Sequence, residues 1–136
     1  MNILHISAEC FPISKVGGLA DVVGALPAYQ RELSVTSNAI IPFYNSRFSK
    51  ENNFKEIYKS NIKLGNDYFN FRILKLLNSK LGFDVFCVDV PQLLYTDYVY
   101  SNDDTERFLA FQIATLDWLL TFNEKPTVIH THDHHT

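Results

Sequence analysis

The chain has 136 residues, room for one compact domain, and its 46% apolar and 14% aromatic content can fill a core and argues against disorder. A net charge of −3 and the lack of any long basic run argue against nucleic acid or an anionic membrane surface as partner. No apolar run reaches the length of a membrane span, and Met1 to Ser7 lacks the features of a signal peptide, so a soluble cytoplasmic protein is expected.

Ile3 to Ser7 is a short apolar run suited to a buried parallel strand. A loop follows, holding Cys10, Pro12 and Gly17-Gly18. Cys10 and the later Cys87 belong to no C-x-x-C pair and read as buried, reduced thiols. Leu19, Val22, Val23 and Leu26 then mark one face of a helix, which Pro27 is predicted to kink or to split. Ala39 to Ile41 is the next strand, ended by Pro42, and residues 43 to 53 are polar and turn-rich. Phe54 to Leu64 and Tyr68 to Leu77 flank Gly65-Asn66-Asp67, which predicts a hairpin. Phe83 to Val90 is another strand, followed by a loop over 92–102 with three tyrosines. Asp103 and Glu106 have the spacing of a capping box, and the helix from about Thr105 to Phe122 is apolar on nearly every side, as a buried helix is. Thr127 to His132 is the last strand.

This alternation predicts a single α/β domain whose central strands are parallel. Ligands of such sheets bind at the carboxyl ends of the strands. The two most unusual stretches lie there: Ser7 to Asp21, and His130 to Thr136.

In Lys15-Val16-Gly17-Gly18-Leu19-Ala20-Asp21 the glycines let a ligand approach the backbone closely. The helix that follows presents free N–H groups and a partial positive charge, and Lys15 adds a full one, so phosphate suits the place. The pattern is neither G-x-G-x-x-G nor a G-K-[ST] loop, which argues against nicotinamide and NTPase chemistry. The plain alternative is a tight turn beside a solvated lysine. Four of the five histidines lie in His130-Thr131-His132-Asp133-His134-His135. Three readings stand for this cluster: a divalent metal site, a polar strand end that binds a hydroxylated ligand, or an exposed end without a ligand.

Asn2 to Pro12, the run Lys15 to Asp21 and its continuation to Pro27 resemble the start of bacterial glycogen synthases and plant starch synthases, with their K-x-G-G-L and A-D-V-x-x-x-L-P signature. Asp103 to Phe108 resembles that family's D-N-x-x-R-F helix start, and Val128 to Thr136 its V-x-H-x-H-D-W-H-x segment. The resemblance is collinear over the whole chain. It departs at Ser34, where a glycine is common, at Asp104 for asparagine, at His134 for tryptophan, and in a short loop from Pro91 to Asp103.

The resemblance implies a Rossmann-like, mostly parallel sheet with flanking helices, part of the first of the two domains of a GT-B glycosyltransferase. On that basis residues 1–136 form an incomplete N-terminal domain, the C-terminal domain is absent, and the chain alone is inactive. It implies a retaining transfer of glucose from ADP-glucose to the non-reducing end of an α-1,4-glucan, without metal or other cofactor. Lys15, Gly17 and Gly18 are implied at the donor's phosphates and sugar, and two catalytic residues are implied: Asp21 on the acceptor side and Asp133 beside the transferred glucose. His135 and His132 are implied as further substrate-binding residues. Two alternatives remain: a non-catalytic module that binds a divalent metal through the C-terminal histidines, and a related glycosyltransferase with another donor such as UDP-glucose.

Overall fold

The structure is a computed structural model and describes residues 1–136. In chain order it contains β1 (Asn2–Ile6), α1 (Gly18–Glu32), β2 (Thr36–Pro42), α2 (Arg47–Glu51), β3 (Phe54–Leu64), β4 (Asp67–Leu76), β5 (Val85–Asp89), α3 (Thr105–Leu120) and β6 (Val128–Thr131). The six strands form one sheet in the order β3-β4-β5-β2-β1-β6. Pairing is parallel from β5 through β2 and β1 to β6, and antiparallel from β3 through β4 to β5. The connections explain the division. Helical crossovers through α1 and α3 return the chain parallel, whereas the short turns beside β4 reverse it.

Gly65 turns the β3–β4 hairpin with φ +60°, a conformation glycine adopts freely, and Leu64 pairs with Asp67 across the turn. Two apolar clusters cover the faces of the sheet. One, built on Leu4, Ile6, Ile40 and Val88, packs under Phe108, Phe111 and Trp118 of α3. The other joins Val23 of α1 to Ala39, Ile41, Val85 and Cys87. Both cysteines are free and buried, and burial pushes the Cys10 thiol up to about 12.

The structure corrects several local expectations. Pro27 sits inside one continuous α1 and starts no second segment. Residues 43–53 contain α2, whose N-terminus is closed by reciprocal hydrogen bonds between Ser46 and Ser49. The capping box of Asp103 and Glu106 does not form. Asp104 occupies the cap position, and its carboxylate accepts hydrogen bonds from Ser101 and Arg107. The reason is the buried Arg107, which also donates to the carbonyls of Leu93 and Val99 and to the Thr96 hydroxyl, and so ties down the loop that precedes α3. Nor is α3 buried all round: Leu109, Leu116 and Leu120 are exposed on its outer side.

Two devices set the position of the loop between β1 and α1. The Phe11 N–H donates to the carbonyl of Ala20 at 2.9 Å. A Cβ on Gly24 would stand 2.5 Å from the Phe11 carbonyl oxygen, so only glycine lets the helix lie this close to the loop.

Candidate active site

β1 and β6 are neighbours with His5 opposite His130, so the chain leaves both strands at the same end of the sheet. The N-termini of α1 and α3 reach that end as well. Together they border a cleft of about 830 Å³ lined by, among others, Glu9, Gly17, Gly18, Tyr100, Asp133 and His135. The glycine loop and the turn after β6, distant in sequence, thus meet in one place.

Glu9 organises the loop. Its carboxylate is 2% exposed and accepts hydrogen bonds from the Val16 N–H at 2.6 Å, the Gly17 N–H at 3.0 Å and the Tyr100 hydroxyl at 2.6 Å. Burial alone would raise its pKa. The hydrogen bonds from Tyr100, Gly17 and Val16 outweigh burial, so the net direction is down and the group is ionised at neutral pH. Gly17 is the N-cap of α1, and its N–H is engaged by Glu9. The amides of Gly18 and Leu19, in the first turn, have no partner within the helix. They lie at the cleft with the positive end of the helix dipole.

Lys15 projects from the other side of Val16, toward a smaller neighbouring cleft. Its ammonium contacts both carboxylate oxygens of Asp21 at 2.7 Å. Both side chains are about half exposed, and a pair of that kind is worth about 0–1 kcal/mol. A diphosphate, with more negative charge than one carboxylate, can displace Asp21 at little cost.

The histidines split into two groups, which corrects the picture of a single C-terminal cluster. His130 and His132 stack at 4.1 Å on the α1 face of the sheet, against His5. His132 is buried and hydrogen bonds through Nε2 to His5 Nδ1 at 2.9 Å. His5 Nε2 in turn donates at 2.8 Å to the Gln30 side-chain oxygen, which also accepts from Ser37. That network makes His132 the donor to His5. Its ring is packed against His5 and His130 and is not among the residues that line this cleft. Asp133, His134 and His135 form the second group, at the cleft.

Asp133 turns the backbone with φ +67°, and its carboxylate accepts from the N–H of His134 at 2.7 Å. The contact with the His134 side chain holds the Asp133 carboxyl below its ordinary range. His135 packs edge-on against Phe108 at 4.6 Å and lies 4.7 Å from the Tyr100 ring, while its Nδ1 has no hydrogen-bond partner in the protein. Asp133, His135 and the helix amides thus give the cleft a carboxylate, an imidazole and anion-binding donors on adjoining walls.

A profile of the starch synthase catalytic domain matches residues 2–136. The chain belongs to that family. Among its relatives, a glycogen synthase of Flavobacterium johnsoniae is 49% identical over 137 residues, covering 100% of this chain and 29% of that protein. A glycogen synthase of Hydrogenobaculum sp. is 34% identical, with the same coverage of both chains. The catalytic domain of starch synthase IV from Arabidopsis thaliana, solved with ADP and acarbose bound, superposes with a TM-score of 0.87 at 26% identity, over 99% of this chain and 28% of that one. The chain thus spans about 29% of the length of the curated relatives it matches.

For a starch synthase domain, the K-x-G-G-L segment is legible in the sequence, but the place of Glu9 and Tyr100 at the cleft is not. The signal for Glu9 was present as a lone acid within Ala8-Glu9-Cys10-Phe11, directly after a strand. Nothing in the sequence marked Tyr100 among the three tyrosines of its loop. The Ser34 departure also has a structural meaning: its φ is +63°, the left-handed conformation that glycine adopts without strain.

Proposed function

We propose that the chain is the opening part of a glycogen synthase, a retaining GT-B glycosyltransferase that moves glucose from ADP-glucose to the non-reducing end of an α-1,4-glucan. The observation that carries this reading is the convergence of the α1 N-terminus and the Asp133–His135 turn on one cleft. A helix N-terminus with a nearby ammonium suits the negative charge that develops on a departing nucleoside diphosphate. Lys15 and the amides of Gly18 and Leu19 take the diphosphate, and the bare Gly17-Gly18 backbone admits the sugar. Asp133 faces the transferred glucose with His135 beside it, and Asp21, freed from Lys15, stands on the acceptor side. The second domain and the remaining nucleotide contacts lie in the longer enzyme, so the 136 residues alone transfer no glucose. No helix is long and apolar enough to cross a membrane, and two free, buried thiols suit the reducing cytoplasm.

The test is Lys15→Ala in the intact enzyme. Loss of a cation that turns from Asp21 to the developing charge lowers kcat/KM with ADP-glucose by about 10²- to 10³-fold. An unchanged rate contradicts the assignment. Preference for UDP-glucose over ADP-glucose in the same assay moves the reading to the related donor.

A further inference from the structure

We propose that Glu9 is the positioning residue of the donor site, turning the Val16 and Gly17 amides inward so that those of Gly18 and Leu19 are left for the ligand. The inference rests on the glucosyltransferase reading and adds a residue to it.

The geometry is specific. Oε2 of Glu9 accepts from two successive amides, Val16 and Gly17, and Oε1 accepts from Tyr100. Tyr100 lies against His135, and both line the cleft with Gly17 and Gly18. One side chain therefore ties the glycine loop to the loop before α3, whose Tyr100 in turn touches the turn after β6. Without it, the two amides before α1 would be free to rotate, and the chain entering the helix would lose its fixed direction.

A purely architectural role explains the choice of residue poorly. An ionised carboxylate is costly to bury, and here it stands beside a site argued to receive an anion, which it repels. Two amides on one oxygen, with a tyrosine on the other, are what a carboxylate satisfies best, because charge-assisted hydrogen bonds are about twice as strong as neutral ones. Tight fixation of the loop is the compensating gain, and it concerns the segment that meets the donor.

Glutamine separates the possibilities. Its single carbonyl oxygen can still accept from Val16 and Gly17, while its NH₂ group faces Tyr100, whose hydroxyl can accept. In the intact enzyme, Glu9→Ala raises KM for ADP-glucose by about 10- to 100-fold and leaves KM for the glucan unchanged. Glu9→Gln returns the donor KM to within about threefold of the parent. Amide exchange of Val16 and Gly17, measured on the same proteins, is slow in the parent and in Glu9→Gln and fast in Glu9→Ala. A fall in thermal stability and kcat with no change in donor KM shows an architectural role and overturns the proposal. So does equal protection of the two amides in the parent and in Glu9→Ala. If the parent transfers no glucose, the glucosyltransferase reading fails, and the exchange data still decide whether Glu9 holds the loop.

Discussion

At Gly17 the backbone is extended, with φ −137°, and a Cβ added there or at Gly18 meets nothing within 4 Å. Neither glycine is needed for the protein's own packing, in contrast to Gly24, where a Cβ would collide with the Phe11 carbonyl. What the missing side chains leave open is the approach to the cleft. Gly18→Ala therefore keeps the melting temperature, or raises it slightly, because alanine is the better helix former. In the intact enzyme it weakens ADP binding by about tenfold, the cost of displacing a ligand from close backbone contact. Calorimetric titration with ADP checks this, and equal affinity contradicts it. Lys15 and Asp21 show the limit of reading residues alone. Their charges were visible in the sequence, but not that each has the other as partner.

Among the elements, those with strong local signals were legible. Alternating apolar positions gave β4, the 3.6-residue spacing gave α1, and Gly65-Asn66 gave the hairpin. Elements decided by distant partners were not. The α3 cap shifted to Asp104 because Arg107 draws that carboxylate into a network with residues 93–101, information that no four-residue window holds. The pairing of β1 with β6 put His5 against His132, although 127 positions separate them. That pairing has a pH consequence. Burial, and then the neighbouring His130 and His5, lower the His132 pKa from the ordinary 6.5 to about 4. Burial also lowers that of His5, against the hydrogen bond to Gln30. Both charge more readily when unfolded; the stabilisation from His132 is complete above pH 6.5 and is lost as the pH falls through 4, and His5 acts in the same direction. Thermal unfolding from pH 7 to pH 4 should show a melting temperature that declines by roughly 5 °C or more. His132→Gln should flatten that decline, and an equal slope in the variant contradicts the assignment.

For the molecule as a whole, the α/β class and the parallel centre followed from the order of elements. The cleft did not, because it is assembled from residues 9–19, 100–112 and 133–135, which only the folded sheet brings together. The sheet has two edge strands, β3 and β6, and α3 exposes Leu116 and Leu120. On the proposed reading this part of the enzyme supplies a helix N-terminus and a lysine for the diphosphate, and a carboxylate turn for the sugar. The structure of the intact enzyme with ADP bound tests that most directly. Diphosphate oxygens are expected within hydrogen-bond distance of the Gly18 or Leu19 amide, with Lys15 turned from Asp21 toward them. A diphosphate bound elsewhere, with Lys15 still paired to Asp21, would contradict it.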